Sequence, residues 1–360
     1  MTYRFLIYIS YSYSIPIGEP LEREILNRNY EVFWFADEKD GKSALRDKVN
    51  SFENINHVID FKPHVVLAAT NDVPDFITGL KVQIFHGFNA EKRPEKQSFS
   101  HFRIRGFFDL YCTQGPNTTL EFKKLEQLYG YFKVRETGWS KMDPLFPIPK
   151  KETDLKPTIL IASTFTERLS LAYNSEVFHT IQQLADGGDF NFLMVLHPKV
   201  KGEFRDKWKS LRNENFEFYD TTDLIPLFKK SDVMFADTTS AIQEFLIQKK
   251  PVVAFRHTFP HDYLININSS DEIKEAFKKA LNPKKELIDN IQTYILQLHP
   301  YFDGKSSVRV LDASIQMINS DLSKLKNKPL NLIRKYKIRK KLNYFTLKSF
   351  NHPLEALKHA

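Results

Sequence analysis

The sequence contains a single cysteine, Cys112, among 360 residues, and this excludes an internal disulfide. A chain without disulfides is typical of a reducing compartment. Long apolar runs are also missing, because polar residues follow directly after Phe5–Ile9, and we therefore expect no secretory signal. No stretch reaches the roughly 18 apolar residues that a membrane-spanning helix needs. Together these absences predict a cytoplasmic protein.

Sequence motifs of several common enzyme sites are missing as well. Gly18 is the only glycine in the first strand-to-helix connection, which excludes a dinucleotide-binding fingerprint there. The chain has no P-loop and no Gly-x-Ser-x-Gly elbow. His257 and His261 have the spacing of a zinc pair, but Pro260 between them is incompatible with the helix that such a pair requires. The sequence therefore predicts no cofactor and no metal.

Apolar residues are abundant enough for two cores, since 42% of the chain is hydrophobic and 14% is aromatic. A chain of this length suits two domains of about 150 residues. Strand-like runs alternate with helical patterns on both sides of a proline-rich break between 144 and 157, which predicts an α/β protein with two doubly wound domains. The predicted strands are 4–9, 30–35, 64–69, 82–85, 108–112, 133–136, 158–162, 191–196, 216–219, 231–236 and 251–255. The first helix expected after the break covers 168–184.

The predicted domains are 1–150 and 151–318, followed by a basic tail, 319–360. The tail has eleven Lys and Arg against two acids, a balance of +9. Subtraction from the totals of 52 and 44 leaves 41 basic and 42 acidic residues in the first 318 positions. The tail therefore carries the whole excess charge and predicts a polyanionic partner, either an anionic membrane or nucleic acid.

Three loops that follow predicted strands contain reactive side chains. His86 and Gly87 follow the fourth strand, with Lys92 and Arg93 a few residues later. His197 follows the eighth strand, and the segment Asp237-Thr238-Thr239-Ser240 follows the tenth. Histidine can accept a proton near neutral pH, cations can hold an anionic group, and hydroxyls at a strand end can bind a diphosphate. The three loops together predict a phosphate-handling cleft at the carboxyl ends of the strands.

Each loop also has a simpler interpretation. A His-Gly pair after a strand is often a plain turn, and Asp237–Ser240 has the composition of a helix cap. Arg103 and Arg105 fit a solvated face as well as an anion clamp. The occurrence of three such loops after separate strands favours a functional site over three unrelated turns.

The order of these motifs resembles the CDP-glycerol glycerophosphotransferase family of teichoic-acid and capsule polymerases. The resemblance extends over about 82–312 and is carried by His86-Gly87 with Lys92, Thr113–Pro116, Glu136–Asp143, Leu196–Pro198, Asp237–Ser240 with Glu244, Lys250-Pro251, and Asp303–Lys305 with Arg309. It implies a GT-B architecture, in which two Rossmann-like domains face each other across a cleft. The first domain would then receive the acceptor and the second the nucleotide donor.

The resemblance also implies roles for individual residues. His86 would be the catalytic base, and His197 would contact the donor phosphates as the second catalytic residue. The diphosphate would be held by Thr238, Thr239 and Ser240, and Glu244 would contact a ribose. From residue chemistry we add Asp237 and Arg309 to the expected donor-binding residues, and we expect the cations Lys92, Arg93, Arg103 and Arg105 to bind the acceptor. This sequence has Thr238 where the family commonly has tyrosine, and Phe88 where a small polar residue is usual.

The leading hypothesis is transfer of a polyol phosphate, expected to be glycerol phosphate, from a CDP-activated donor to a hydroxyl of a cell-surface glycan or its lipid-linked precursor, with release of CMP. Two alternatives stay open at this point. Gln243 and Glu244 would suit a GT-B glycosyltransferase that uses a nucleotide sugar for capsule, lipopolysaccharide or teichoic-acid synthesis. A non-enzymatic adaptor would use the basic tail to bind a membrane or RNA.

For the tail we expect peripheral contact with the inner face of the cell membrane. Nucleic acid is not an expected partner, because aromatic residues are not regularly interleaved with the charges as base stacking requires. The alternative for the tail is a charged helix that packs back on the first domain.

Overall fold

A computed structural model of the chain describes residues 2–88, 101–149, 156–211 and 213–360. These residues form two compact units. The first unit contains 2–87, 101–144 and 299–360, and the second is formed within 145–298.

Parallel strands form the sheet of the first unit. The strands are β1 Arg4–Ile9, β2 Glu31–Ala36, β3 Ser51–Phe52, β4 Val65–Ala68, β5 Leu80–Gln83, β6 Leu110–Thr113 and β7 Lys133–Glu136. They pair in the order β3-β2-β1-β4-β5-β6-β7, and the central strands β1, β4, β5 and β6 are buried on both faces, as expected when helices cover a parallel sheet. The helices of this unit are α1 Ile15–Asn27, α2 Lys39–Ala44, α3 Ile55–Phe61 and α4 Pro116–Tyr129, and later in the chain α11 Ser306–Ile318, α12 Leu332–Leu342 and α13 Pro353–Lys358.

The second unit is built around its own parallel sheet. The strands are β8 Thr158–Ser163, β9 Asn191–Leu196, β10 Phe216–Tyr219, β11 Val233–Ala236, β12 Val252–Phe255 and β13 Ile265–Ile267. They pair in the order β10-β9-β8-β11-β12-β13. The helices are α5 Ser175–Gly187, α6 Gly202–Lys209, α7 Ile225–Lys230, α8 Ala241–Leu246, α9 Ile273–Leu281 and α10 Lys285–Leu298. Since β11 lies between β8 and β12, the loops that follow these three strands are neighbours at one edge of the sheet.

The predicted strands all occur, with ends that shift by one or two residues, but two short strands escaped prediction. These are β3, with two residues, and β13, with three. The expected helix over 168–184 is wrong in its first turns, because Glu167–Leu169 and Leu171–Tyr173 form short 3₁₀ turns and α5 begins at Ser175. Asn174 starts α5 by accepting a hydrogen bond from the Val177 amide at 3.1 Å.

The end of the chain belongs to the first unit. Residues 299–318, which the sequence analysis groups with the second domain, pack there through α11, which contacts α1. The Asp143 carboxylate accepts hydrogen bonds from the amides of Ser306 and Ser307 at 2.8 and 2.7 Å, and thus satisfies two amides at the start of α11. The unit is therefore discontinuous in sequence.

The basic tail packs back on the first unit through buried ion pairs. Arg339 donates two hydrogen bonds to Asp75, at 2.7 and 3.1 Å, and Lys328 lies 2.5 Å from an oxygen of Asp109. Lys341 pairs with Asp37 at 2.8 Å. Several positive charges of the tail are thus paired with carboxylates of the same chain. Among the helices that the structure describes, none has the length and hydropathy to cross a membrane.

Lys81 is a buried cation beneath this tail. It is 1% exposed, and its Nζ has no hydrogen-bond partner among the described residues. The pKa of Lys81 is lowered to about 7. Burial is the main cause, the ammonium group of Lys328 adds to the effect, and Asp109 opposes it. The ring of Phe350, from the tail, lies 5.4 Å from the Lys81 Nζ. The tail therefore covers a lysine that is easily deprotonated.

We expect the free energy of unfolding to fall as the pH decreases from about 10 to about 7 because of Lys81. In this range the unfolded chain binds a proton on this lysine, whose ordinary pKa is about 10.4, and the folded chain does not. Lys81→Met removes this difference, so its melting temperature should exceed that of the wild type by more at pH 6.5 than at pH 9.5. Thermal denaturation at both pH values measures this. Lys124→Met, at an exposed lysine, is the control, and an equal gain at both pH values would contradict the assignment.

Candidate active site

The segment after β11 begins with Asp237, which is fully buried. One carboxylate oxygen accepts hydrogen bonds from the Ser163 hydroxyl at 2.5 Å and from the Leu171 amide at 2.9 Å, and the other accepts one from the Thr164 amide at 2.9 Å. These donors are the last residue of β8 and the loop that follows it. The carboxylate therefore fixes that loop to the end of β11, and a donor-binding role for Asp237 stays a prediction.

The hydroxyl residues that follow Asp237 differ in their surroundings. Thr238 is buried, and its hydroxyl lies 2.9 Å from that of Thr258. Thr239 and Ser240 are half-buried at the start of α8, and the Ser240 side chain caps no amide. Glu244, expected to contact a ribose, is 6% exposed within α8. Thr239 and Ser240 are thus the members of this segment that reach the surface.

His197 is exposed at the end of β9. Its Nδ1 accepts a hydrogen bond from the Lys199 amide at 3.1 Å, so the hydrogen of the neutral ring is on Nε2. The ring packs 4.5 Å from that of Phe165, which belongs to the loop held by Asp237. This arrangement presents Nε2 as a hydrogen-bond donor that suits a phosphate oxygen.

Two arginines at the same edge of the sheet escaped prediction. Arg168 and Arg256 line a cavity of about 200 Å³ together with Ser170, Asn174 and Phe255. Arg256 follows the predicted strand 251–255 directly, so its position at the strand end was a signal that could have identified it. A larger cavity of about 780 Å³ lies at the opposite edge of this sheet, where Thr158 and Asn191 begin their strands and Pro251 precedes β12. Ligands of parallel α/β sheets bind at the carboxyl ends, which favours the edge with the arginines.

In the first unit, His86 follows a strained turn after β5. Phe85 has φ of 56°, a left-handed conformation that is unfavourable for an aromatic residue, and its ring stacks on that of His101 at 5.3 Å. Gln114, which is buried, donates a hydrogen bond to the Gly87 carbonyl at 3.0 Å. The strain and this hydrogen bond fix the orientation of the His86-Gly87 turn. Gln114 is therefore a positioning residue that the sequence analysis did not single out.

The electrostatic environment of His86 favours its neutral form. Although part of the ring is accessible, neighbouring protein displaces water from it and lowers its pKa, and the positive charge of Arg105 lowers the pKa further. Burial also lowers the pKa of His101, to about 4, with a smaller contribution from His86. At neutral pH His86 is therefore able to accept a proton.

The predicted acceptor-binding cations have different outcomes. Lys92 and Arg93 lie outside the described residues. Arg103 is exposed, whereas Arg105 is half-buried and donates a hydrogen bond to the side-chain oxygen of Asn71 at 3.1 Å. Of the two that the structure describes, Arg105 lies close enough to His86 to lower its pKa.

Arg309, expected to bind the donor, is engaged within the first unit. It donates two hydrogen bonds to Asp303, at 2.9 and 3.0 Å, and a third from Nε to the Thr137 carbonyl at 2.9 Å. Its guanidinium lies 4.0 Å from the centre of the Tyr301 ring. The hydrogen bonds with Arg309 lower the pKa of Asp303 to about 2. These contacts join the strand exit after β7 to the segment before α11.

Gly138 shows how closely these two segments approach. Its φ is 78°, and a Cβ atom there would lie 2.5 Å from the Ser306 hydroxyl and 3.0 Å from His299 Nε2. The latter nitrogen accepts a hydrogen bond from the Trp139 amide at 3.0 Å. The motif residues 136–143 and 299–309 therefore act as a structural joint of the first unit.

A comparison with protein families gives a match to the model for CDP-glycerol:poly(glycerophosphate) glycerophosphotransferase over residues 131–315, just over half of the chain. The chain belongs to this family. It is accordingly a transferase of the CDP-glycerol glycerophosphotransferase type. The matched region includes His197, the segment Asp237–Ser240 and the joint, but it begins after His86.

Solved structures with the same fold support the architecture. A putative UDP-N-acetylglucosamine 2-epimerase from Listeria monocytogenes is 13% identical, with a TM-score of 0.60 over 89% of this glycerophosphotransferase and 97% of the epimerase. The wall teichoic acid polymerase TagF, as an H444N variant, is 14% identical, with a TM-score of 0.58 over 89% and 90% of the two chains. A UDP-GlcNAc 2-epimerase from Neisseria meningitidis is 14% identical, with a TM-score of 0.58 over 87% and 100%. The predicted fold class, α/β with GT-B architecture, is confirmed.

The comparison with curated proteins found no match.

We expect Asp237→Asn to lower the free energy of unfolding by about 3 kcal/mol, because an amide leaves at least one of three buried donors without an acceptor. The loop after β8 should also become more accessible to protease. Urea denaturation and limited proteolysis measure the two effects. The control is Asp220→Asn, at a carboxylate 52% exposed in surface ion pairs, where a change of about 0.5 kcal/mol is expected. Equal effects of the two substitutions would argue against the positioning role.

Proposed function

We propose that this glycerophosphotransferase transfers glycerol phosphate from CDP-glycerol to a hydroxyl of a cell-surface glycan or its lipid-linked precursor. The observation that carries the proposal is the family match across the carboxyl edge of the second sheet, where His197, Thr239 and Ser240 are accessible. One of the similar structures is TagF soaked with CDPG. A wall teichoic acid of the kind that TagF polymerises is therefore the product class that we favour.

In this proposal His86 is the general base. It accepts the proton of the acceptor hydroxyl, whose oxygen forms a bond to the β-phosphorus of the donor. The bond between that phosphorus and the oxygen that bridges to the α-phosphorus breaks, and CMP leaves with this oxygen. Phosphoryl transfer requires mainly positioning and stabilisation of charge from the protein. His197 Nε2 and the hydroxyls of Thr239 and Ser240 would donate hydrogen bonds to the diphosphate.

Cationic stabilisation would come from residues other than Arg309, whose three guanidinium nitrogens already donate within the first unit. Arg168 and Arg256 are the candidates, since both line the cavity at the carboxyl edge. Arg105, beside His86, would attract an anionic acceptor. Lys92 and Arg93 keep the acceptor-binding role that their charge predicts.

We expect purified protein to release CMP from CDP-glycerol in the presence of a glycerol-phosphate-primed acceptor. His86→Asn should lower kcat by roughly 10² to 10⁴-fold, the usual contribution of a general base. In the wild type, kcat/KM should fall as the pH decreases through the lowered pKa of His86, below about 6.5, because the protonated ring cannot accept the proton. Nucleotide release measured by chromatography across pH 5 to 9 provides both values.

A panel of CDP-glycerol, CDP-ribitol and UDP-sugars separates the proposed function from the glycosyltransferase alternative. Turnover of a UDP-sugar with inert CDP-polyols would overturn the proposal. His57→Asn, at an exposed histidine of the same unit, is the matched control for His86 and should retain wild-type turnover.

The tail supports a second part of the proposal, attachment to an anionic membrane surface. A surface helix usually turns its apolar side chains to the protein and its charged ones to solvent. On α12 the charged residues Lys335 and Arg339 face the protein instead and are buried. The outward apolar side chains are Leu330, Leu332, Ile333, Tyr336, Phe345 and Leu347, which are 57% to 102% exposed. The exposed lysines 337, 340 and 348 accompany them. Apolar side chains flanked by cations favour an anionic lipid interface.

Deletion of 319–360 would be a poor test of this surface, because it would also remove the partners of Asp75 and Asp109. We expect the double substitution Leu332→Ser/Ile333→Ser to lower binding to phosphatidylglycerol-containing vesicles by about 30-fold, since each apolar side chain contributes roughly 1 kcal/mol when it is buried in part. Sedimentation with vesicles measures the effect. Leu120→Ser/Leu128→Ser, at exposed leucines of α4, is the control and should bind as the wild type does. Equal binding to purely zwitterionic vesicles would contradict the role of the lysines.

A further inference from the structure

The loop of residues 256–263, which follows β12, is held beside the segment after β11 by a pair of threonines. The Thr258 amide donates a hydrogen bond to the Thr238 hydroxyl oxygen at 3.0 Å, and the two hydroxyls lie 2.9 Å apart. Thr238 is 3% exposed. Because Phe235 and Ala236 pair with Val253 and Ala254, both threonines follow directly from adjacent strands. The Thr238 hydroxyl therefore bonds to the neighbouring loop.

The first residue of the 256–263 loop is anchored independently of the threonine pair. Arg256 has φ of 47°, a strained conformation for a residue other than glycine. Its amide donates to the Ile267 carbonyl at 2.8 Å, and its Nε donates to the Asn268 carbonyl at 2.9 Å. These contacts fix the place where the loop leaves the sheet. Near its far end, the carbonyls of His261 and Asp262 accept hydrogen bonds from Asn266 at 2.9 Å and from Asn290 at 3.3 Å. Between these two anchors, Thr258 is bonded to Thr238.

Stacked rings connect the end of the 256–263 loop to α8. The His261 ring stacks on Tyr263 at 4.6 Å and 11°, and Tyr263 stacks on Tyr294 at 4.0 Å and 13°. The Tyr294 hydroxyl accepts a hydrogen bond from Gln243 at 2.9 Å. Gln243 lies three residues after Ser240, so the loop is tied to both sides of Thr239 and Ser240. These two half-buried hydroxyl residues are therefore framed by the loop.

We propose that Thr238 is a positioning residue that holds the 256–263 loop beside the site of the nucleoside diphosphate donor, and thereby sets donor affinity without touching the diphosphate. The inference rests on the proposed function, since it takes Thr239 and Ser240 as the donor contacts. It also accounts for the threonine at position 238, where the family commonly has tyrosine. A threonine hydroxyl is short enough to bond to Thr258 from within the buried edge of the sheet, whereas a tyrosine at 238 would need space for a ring.

The decisive comparison is between Thr238→Val, which keeps the shape and removes the hydroxyl, and Thr238→Ser, which keeps the hydroxyl. We expect Thr238→Val to raise the exchange rate of the Thr258 amide by about tenfold, because the substitution removes one hydrogen bond that protects this amide. Thr238→Ser should restore slow exchange. Hydrogen–deuterium exchange of the free protein, followed by mass spectrometry of peptides over 256–263, measures this without any donor. Unchanged exchange of peptides over β8 shows that the fold is intact.

Affinity for CDP, measured by calorimetry, is the second readout. Thr238→Val should weaken CDP binding by about tenfold and raise the KM for CDP-glycerol by more than it lowers kcat, with recovery in Thr238→Ser. Slow exchange in Thr238→Val, or CDP affinity equal to that of the wild type, would overturn the inference. A wild type that binds CDP but releases no CMP from any polyol donor would defeat the proposed function and leave the loop inference standing. A wild type that binds neither CDP nor UDP would overturn both.

Discussion

The buried carboxylate of Asp237 is the constraint on which the second unit's functional edge depends. A fully buried charge is stable only when hydrogen bonds replace its lost hydration, and three donors from Ser163 at the end of β8 and from the loop after it provide them. The same loop carries Phe165, against which His197 packs, and Arg168, which lines the small cavity. One carboxylate therefore fixes the loop on which several residues of this edge depend.

Secondary structure was predictable where a hydrophobic pattern is long and where contacts close in sequence determine the conformation. Runs such as Phe5–Ile9 are buried on both faces of a parallel sheet and are recognised by continuous hydrophobicity. The segment before α5 was not predictable, because its amide at Leu171 donates to Asp237, 66 residues away, instead of continuing a helix. The strands β3 and β13 are too short to be recognised from hydrophobic periodicity.

The candidate site was predictable in its motifs and not in the roles of their members. Residue type and order place His86 after a strand of the first sheet, and His197 and the hydroxyl segment after strands of the second, at the carboxyl ends where ligands of parallel sheets bind. They do not show whether a polar side chain faces a ligand or its own chain. Arg309 and Asp237 have the chemistry of ligand contacts, and the structure shows that both also hydrogen-bond to partners far away in the sequence. The tail illustrates the same limit, because Arg339 pairs with Asp75 over a separation of 264 residues.

The discontinuity of the first unit has a consequence for biosynthesis. Ribosomes deliver the amino-terminal part of a chain first, and domains generally fold as units while the chain emerges. Here Asp75 and Asp109 leave the ribosome long before Lys328 and Arg339, which become their partners. The second unit, contained within 145–298, can be completed in between. Until the end of the chain is synthesised, Asp75 and Asp109 therefore lack these cationic partners. A nascent chain truncated near residue 320 would have a complete second unit attached to an incomplete first unit.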